Sequence, residues 1–131
     1  ASQKATYQIV KTKTPVEAVN VMGFLEGTDK KEEVLVISSH YDHVGVNGEG
    51  DAFNGADDDG SGTVSVMEIA EAFATAAKEG KRPRRSILFL NVTGEEKGLL
   101  GSEYYAENPV FPIANTMNNI NIDMVGRIDY E

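Results

Sequence analysis

The sequence predicts an α/β fold, a mostly parallel mixed sheet sandwiched by helices, and three observations lead there. Apolar runs of strand length stand at Val34–Ile37 and within Ser86–Val92; runs without polar alternation fit strands covered on both faces. Between them Val66, Ile69, Ala70, Phe73 and Ala77 recur at helical spacing. From residue 34 the order is strand, helix, strand, helix, strand. Such alternation builds parallel strands joined by helical crossovers.

Residues 6–12 and 18–25 read as two early strands split by Pro15. Gly27-Thr-Asp-Lys-Lys31 is a turn before the Val34–Ile37 strand. Residues 43–62 contain six glycines and are too irregular for an element of their own. The helix starts at Ser61 and stops at Gly80. Lys81-Arg-Pro-Arg-Arg85 is a basic connector, read as a solvated turn rather than an anion patch. Strand 86–92 follows, then a helix over residues 99–107 ended by Asn108-Pro109. Asn119-Ile-Asn-Ile-Asp123 closes the pattern as another strand. Without repeats, low-complexity tracts or a linker, residues 1–131 read as a single domain.

At 131 residues and 40% hydrophobic, the chain suffices for one sizeable core. Its net charge of -9 argues against a nucleic-acid partner, which would want a basic face. The absence of cysteine excludes disulfides and cysteine-type zinc sites. No apolar run reaches a membrane-spanning length, so no membrane partner is expected. Oligomeric state is not encoded in any feature of the sequence.

His40, Glu95, Glu96 and Asp123 each fall at or just past the C-terminal end of an expected strand. Open α/β sheets place their ligands at that edge. His40-Tyr-Asp42 pairs an imidazole, a good zinc ligand, with a carboxylate that can hold its other nitrogen. Alone, the same triplet also fits an ordinary loop. In Gly55-Ala-Asp-Asp-Asp-Gly-Ser-Gly62, one carboxylate can bridge two metal ions while its neighbours bond backbone or cap the helix. Capping by Asp59 or Ser61 accounts for only one of the three aspartates. Asp57, Asp59, Ser61, Gly62 and Glu68 also match the spacing of a calcium-binding EF-hand loop. That loop needs an entering helix, and Val46–Ala56 is too glycine-rich to supply one. In Gly94-Glu95-Glu96 the carboxylates point different ways, so one can bind metal while the other takes a proton from water. His43 reads as loop sequence or a minor residue of the site rim. Gathering carboxylates is costly without a cation, so together the signals indicate a zinc site.

Four motifs, His40-Tyr-Asp42, Gly55–Gly62, Thr93–Ser102 and Asn121-Ile-Asp-Met-Val125, occur in an order that resembles metallopeptidase family 28 over residues 18–128. This family comprises zinc-dependent exopeptidases of aminopeptidase type. The resemblance implies that the chain is the N-terminal part of a zinc exopeptidase-like domain. It implies hydrolysis of the first peptide bond of a substrate with a free N-terminus, through a metal-bound hydroxide. Two zinc ions are expected in the complete enzyme. His40 and Asp123 would bind one and Glu96 the other, with Asp58 bridging, Glu95 as general base and Asp42 supporting His40. A secreted or periplasmic location is also implied. Within the family, a single-zinc glutaminyl cyclase-like acyltransferase and a non-catalytic peptidase-like binding domain are the alternatives. Retention of the site carboxylates favours the peptidase. The family's last zinc ligand is a histidine well downstream of the position of Asp123, whereas the only histidines here are His40 and His43. The second zinc would then keep Asp58 and Glu96 alone, and the chain is expected to be a fragment, inactive or crippled as an isolated piece. His43 could complete that site only if its loop turned back sharply.

Overall fold

The computed structural model describes residues 4–10 and 17–128. In chain order the elements are β1 (Val21–Leu25), β2 (Lys30–His40), α1 (Gly60–Lys78), β3 (Arg85–Val92), α2 (Leu100–Glu107) and β4 (Thr116–Asn121). Single helical turns at Glu95–Lys97 and Ile113–Asn115 flank α2. The strands form one sheet in the order β1-β3-β2-β4. β2 is parallel to β3 and to β4, whereas β1 runs antiparallel to β3. The sheet is therefore mixed and mostly parallel, in agreement with the alternating pattern.

Successive strand residues point to opposite faces, and this divides the core in two. Val34 and Val36 of β2 join Leu88, Leu90 and Val92 of β3 on one face, with Tyr105 of α2 and Phe111 packed against them. Ile37, Ile87 and Phe89 point the other way and meet Val66, Ile69, Ala70 and Phe73 of α1. The helical spacing seen in the sequence is thus the face of α1 laid on the sheet. Full burial of a side chain such as Leu88, 1% exposed, contributes about 1.5–3 kcal/mol.

Several boundaries differ from expectation. Residues 6–10 form no strand, and Tyr7, Ile9 and Val10 are at least 75% exposed; alternation alone does not make a strand without a partner for its backbone. Residues 11 and 12 of that expected strand, and Pro15, lie outside the described residues. β1 begins at Val21 rather than residue 18. The Asn20 side chain instead donates to the Gly101 carbonyl (2.8 Å) and accepts the Thr93 N–H (3.1 Å). β2 starts inside the expected turn, with a register shift between Lys30 and Val34. β4 starts earlier than residue 119 and ends at Asn121, so Asp123 lies just past it. Residues 43–62 are not wholly irregular, because Val46 and Ala52 form an antiparallel bridge. The basic connector is taken up by neighbours: Arg84 holds Asp29 through both carboxylate oxygens, and Arg82 donates to the Glu26 carbonyl.

Candidate metal centre

His40 ends β2 and is clamped by the start of α1. Its N–H donates to Asp59 Oδ2 (3.1 Å), and its carbonyl accepts the Thr63 hydroxyl (2.7 Å). The ring is 3% exposed. Nδ1 lies 3.0 Å from the Asp42 carbonyl and 3.6 Å from Asp42 Oδ1. With Nδ1 as donor there, Nε2 keeps its lone pair. That nitrogen faces Asp58 Oδ1 at 3.1 Å, and Glu95 Oε2 and Asp123 Oδ1 at 3.9 Å each.

The three successive aspartates have separate tasks. Asp59, 2% exposed, caps α1 by accepting the Gly62 N–H at 3.0 Å and also accepts the Met124 N–H at 3.2 Å. Asp57 accepts the Gly126 N–H and the Arg127 Nε–H, both at 2.8 Å. The hydrogen bond from Arg127 holds the Asp57 carboxyl below the usual carboxylate range. Asp58, between them, turns toward the histidines. A calcium loop from Asp57 to Glu68 is excluded, because α1 already starts at Gly60.

Past β3, Gly94 turns the chain with φ +66° so that Glu95 and Glu96 stand on a single helical turn. Asp42 holds that turn: its Oδ1 accepts the Glu95 N–H (3.0 Å) and its Oδ2 the Glu96 N–H (3.3 Å). Asp42 thus supports two carboxylates as well as His40. Glu96 Oε1 comes to 2.8 Å from Nδ1 of His43, a residue placed only at the rim on sequence grounds. β2 stops at His40, so strand alternation no longer determines where residue 43 points. The second histidine of His40-Tyr-Asp-His43 was the available signal.

Among the described residues two groups of ligand atoms result, His40, Asp58, Asp123 and His43, Asp58, Glu96, each with its atoms within 4.8 Å of one another. Asp58 is common to both, and Glu95 belongs to neither. Burial, with the negative charges of Asp59, Asp58 and Glu96, raises the Asp123 pKa against the opposing effect of His40. Burial acts to lower the pKa of His40. The Asp42 carbonyl and the charges of Asp59, Glu95 and Asp123 outweigh it, and the net shift is upward. The centre is therefore short of positive charge, which a cation supplies. Imidazole and carboxylate donors with Asp42 behind them suit zinc.

Residues 20–131 match peptidase family M28. A probable zinc metalloprotease of Pyricularia oryzae is 39% identical over 115 residues, covering 86% of this chain and 22% of its own length. A vacuolar membrane protease of Verticillium alfalfae is 33% identical over 123 residues, covering 82% of this chain and 11% of its own. Among solved structures, an aminopeptidase from Aneurinibacillus sp. strain AM-1 matches with a TM-score of 0.66 at 27% identity, covering 82% of this chain and 24% of its own. The chain thus spans less than a quarter of the length of each. The expected secreted or periplasmic location is corrected by the Verticillium relative, whose name places it at a vacuolar membrane. That expectation rested on resemblance alone. Among the described residues, no helix is long and apolar enough to cross a membrane. Fold, motif order and these matches agree: the chain belongs to peptidase family M28.

Proposed function

We propose that this chain is the metal-binding core of a zinc-dependent aminopeptidase, a partial catalytic domain whose complete enzyme cleaves the first peptide bond of a substrate with a free N-terminus, and which is inactive or crippled as an isolated piece. The observation that carries the reading is Asp58, shared by two ligand groups beside a carboxylate, Glu95, that belongs to neither. His40, Asp58 and Asp123 would hold one zinc, and Asp58 and Glu96 would contribute to a second. Bound zinc would polarise the scissile carbonyl and acidify water. Glu95 takes the proton of the attacking water and returns it to the leaving amine. Asp42 holds Glu95 in place through its backbone N–H. The names of the Pyricularia relative and the Aneurinibacillus neighbour support the zinc and aminopeptidase parts of this reading. A one-zinc cyclase would leave the second ligand group without a use.

Zinc content after dialysis from zinc buffer, together with hydrolysis of a leucyl-coumarin amide, tests the proposal. Glu95→Gln should keep its zinc and lose at least about a hundredfold in rate. His40→Ala and Asp58→Ala should lose zinc. A folded chain that retains no zinc, or hydrolysis that survives Glu95→Gln, overturns it.

A further inference from the structure

We propose that Asn54 is a site of spontaneous modification, where deamidation rebuilds the backbone beside the acidic turn. The sequence holds two asparagine–glycine pairs, Asn47-Gly48 and Asn54-Gly55, both in the segment between β2 and α1. At such a pair the glycine N–H loses its proton and its nitrogen attacks Cγ of the asparagine side chain. A C–N bond closes a cyclic imide, the Cγ–Nδ2 bond breaks, and ammonia leaves with the proton. One water molecule then opens the ring. Opening at Cγ yields aspartate. Opening at the main-chain carbonyl yields isoaspartate, in which the backbone runs through the side chain and is longer by a methylene. Asparagine and water thus become aspartate or isoaspartate and ammonia, with no change of oxidation state. Glycine favours the first step because it has no Cβ to block the approach.

Local structure separates the two pairs. Asn47 uses its side chain in full: Oδ1 accepts the N–H groups of Glu49 and Asp51, both at 2.9 Å, and Nδ2 donates to Asp51 Oδ2 at 3.1 Å. Its own N–H donates to the Asp51 carbonyl (2.9 Å) and its carbonyl accepts the Gly50 N–H (3.1 Å). Bringing Cγ onto the Gly48 nitrogen means breaking the side-chain bonds. Asn54 is exposed, and among the described residues neither its side chain, its main chain nor the Gly55 N–H takes part in a hydrogen bond. The chain is pinned on either side of it instead. The Phe53 N–H donates to the Gly45 carbonyl at 2.8 Å, beside the Val46–Ala52 bridge, and the Gly60 N–H donates to the Gly55 carbonyl at 2.9 Å. Gly55 itself lies against His43, where a Cβ would stand 2.8 Å from Cγ of the ring. A methylene added at residue 54 lengthens the path between these anchors, so Gly55 shifts from the imidazole or one of the two bonds parts. The new carboxylate also joins a segment that already carries Asp57, Asp58 and Asp59. Ageing at Asn54 therefore loosens the turn that presents Asp58.

Peptide mapping by mass spectrometry tests the assignment on the whole chain, aged for days in mildly alkaline buffer, both folded and in urea. Cleavage after Glu49 puts the two asparagines in separate peptides. In the folded chain, isoaspartate should accumulate at Asn54 at least about tenfold faster than at Asn47, whose side-chain bonds must be given up first. In urea the two rates should become alike. An intact Asn54, or an Asn47 that reacts as fast in the folded chain, would overturn the proposal. A preference for Asn54 of equal size in urea would overturn its structural cause. The aged chain carries an added negative charge, so anion exchange isolates it. In that fraction the Phe53 and Gly60 amides should exchange hydrogen at least about tenfold faster than in fresh protein. Unchanged exchange at both would refute the loosening of the turn. Asn54→Gln aged alongside should keep the fresh pattern, and faster exchange there would remove Asn54 as the cause.

Discussion

Replacing Asp59 by alanine removes one carboxylate and three hydrogen bonds at once. The His40 and Gly62 N–H groups that it accepts are buried, whereas the Met124 N–H is partly buried and can turn to water. Two stranded buried donors cost about 2 kcal/mol each, and the third adds little. Relief of repulsion against Asp123, whose pKa burial and then Asp59 raise, offsets part of this. The net loss is about 3–4 kcal/mol, a large share of the roughly 5–15 kcal/mol of an ordinary domain. With a urea dependence of about 2 kcal/mol per molar, the unfolding midpoint should fall by about 1.5–2 M. Asparagine keeps an oxygen for Gly62 and Met124 but sets an amide against the His40 N–H, so its loss should be about 2 kcal/mol. Urea unfolding followed by circular dichroism measures both. An alanine variant within about 0.5 kcal/mol of wild type, or an asparagine variant no better than alanine, would refute the reasoning.

Asp42→Ala should weaken zinc binding about 10–100-fold with little loss of secondary structure, because it frees the Glu95–Glu96 backbone and removes the carboxylate near His40 Nδ1, while the Asp42 carbonyl stays in place; competition with a chromogenic chelator reads this. Leu88→Ala, at a site 1% exposed, should cost about 3 kcal/mol in the same urea assay. Asp29 is held at about 2, chiefly by its hydrogen bond from Arg84. Its folded pKa lies below its ordinary value, so the stability it lends is present above that value and is lost as pH falls through about 2. An NMR titration of the Asp29 carboxyl should show that midpoint, moving back toward 3.8 in Arg84→Gln. An unchanged midpoint would remove Arg84 as the cause.

Legibility in the sequence followed the reach of each signal. β2, β3 and α1 declare themselves through unbroken apolar runs and helical spacing, because burial acts on every residue of those segments. Thr6–Val10 alternates as a strand would, yet stays exposed, since among the described residues it pairs with no other strand. β4 carries a weak pattern because it is an outer strand rich in asparagine. Its placement owes much to Ser38, which donates to Asn119 and Asn121, more than 80 positions away. In the site, His40, Glu95, Glu96 and Asp123 are legible as polar groups at strand ends and Asp58 as the middle of an acidic turn before a helix, and the structure brings their side chains together. The duties of Asp57 and Asp59 were visible only in outline, as backbone bonding or capping. Their partners Gly126 and Met124 lie 69 and 65 positions downstream. His43 escaped because a small hairpin, encoded in glycines and asparagine rather than in periodicity, decides where it sits.

The bond between Met124 and Asp59 also sets an order of events. At translation rates of about 5–20 residues per second, the 65 positions between them take about 3–13 s to emerge. During that interval β2, α1 and β3 can already meet, bringing His40, Asp58 and the glutamates together while Asp123 is still unmade. At that stage the group of His40, Asp58 and Asp123 still lacks one of its three members. Completion of the ligand group of His40, Asp58 and Asp123 therefore waits on the docking of the segment after β4 rather than on the collapse of the core.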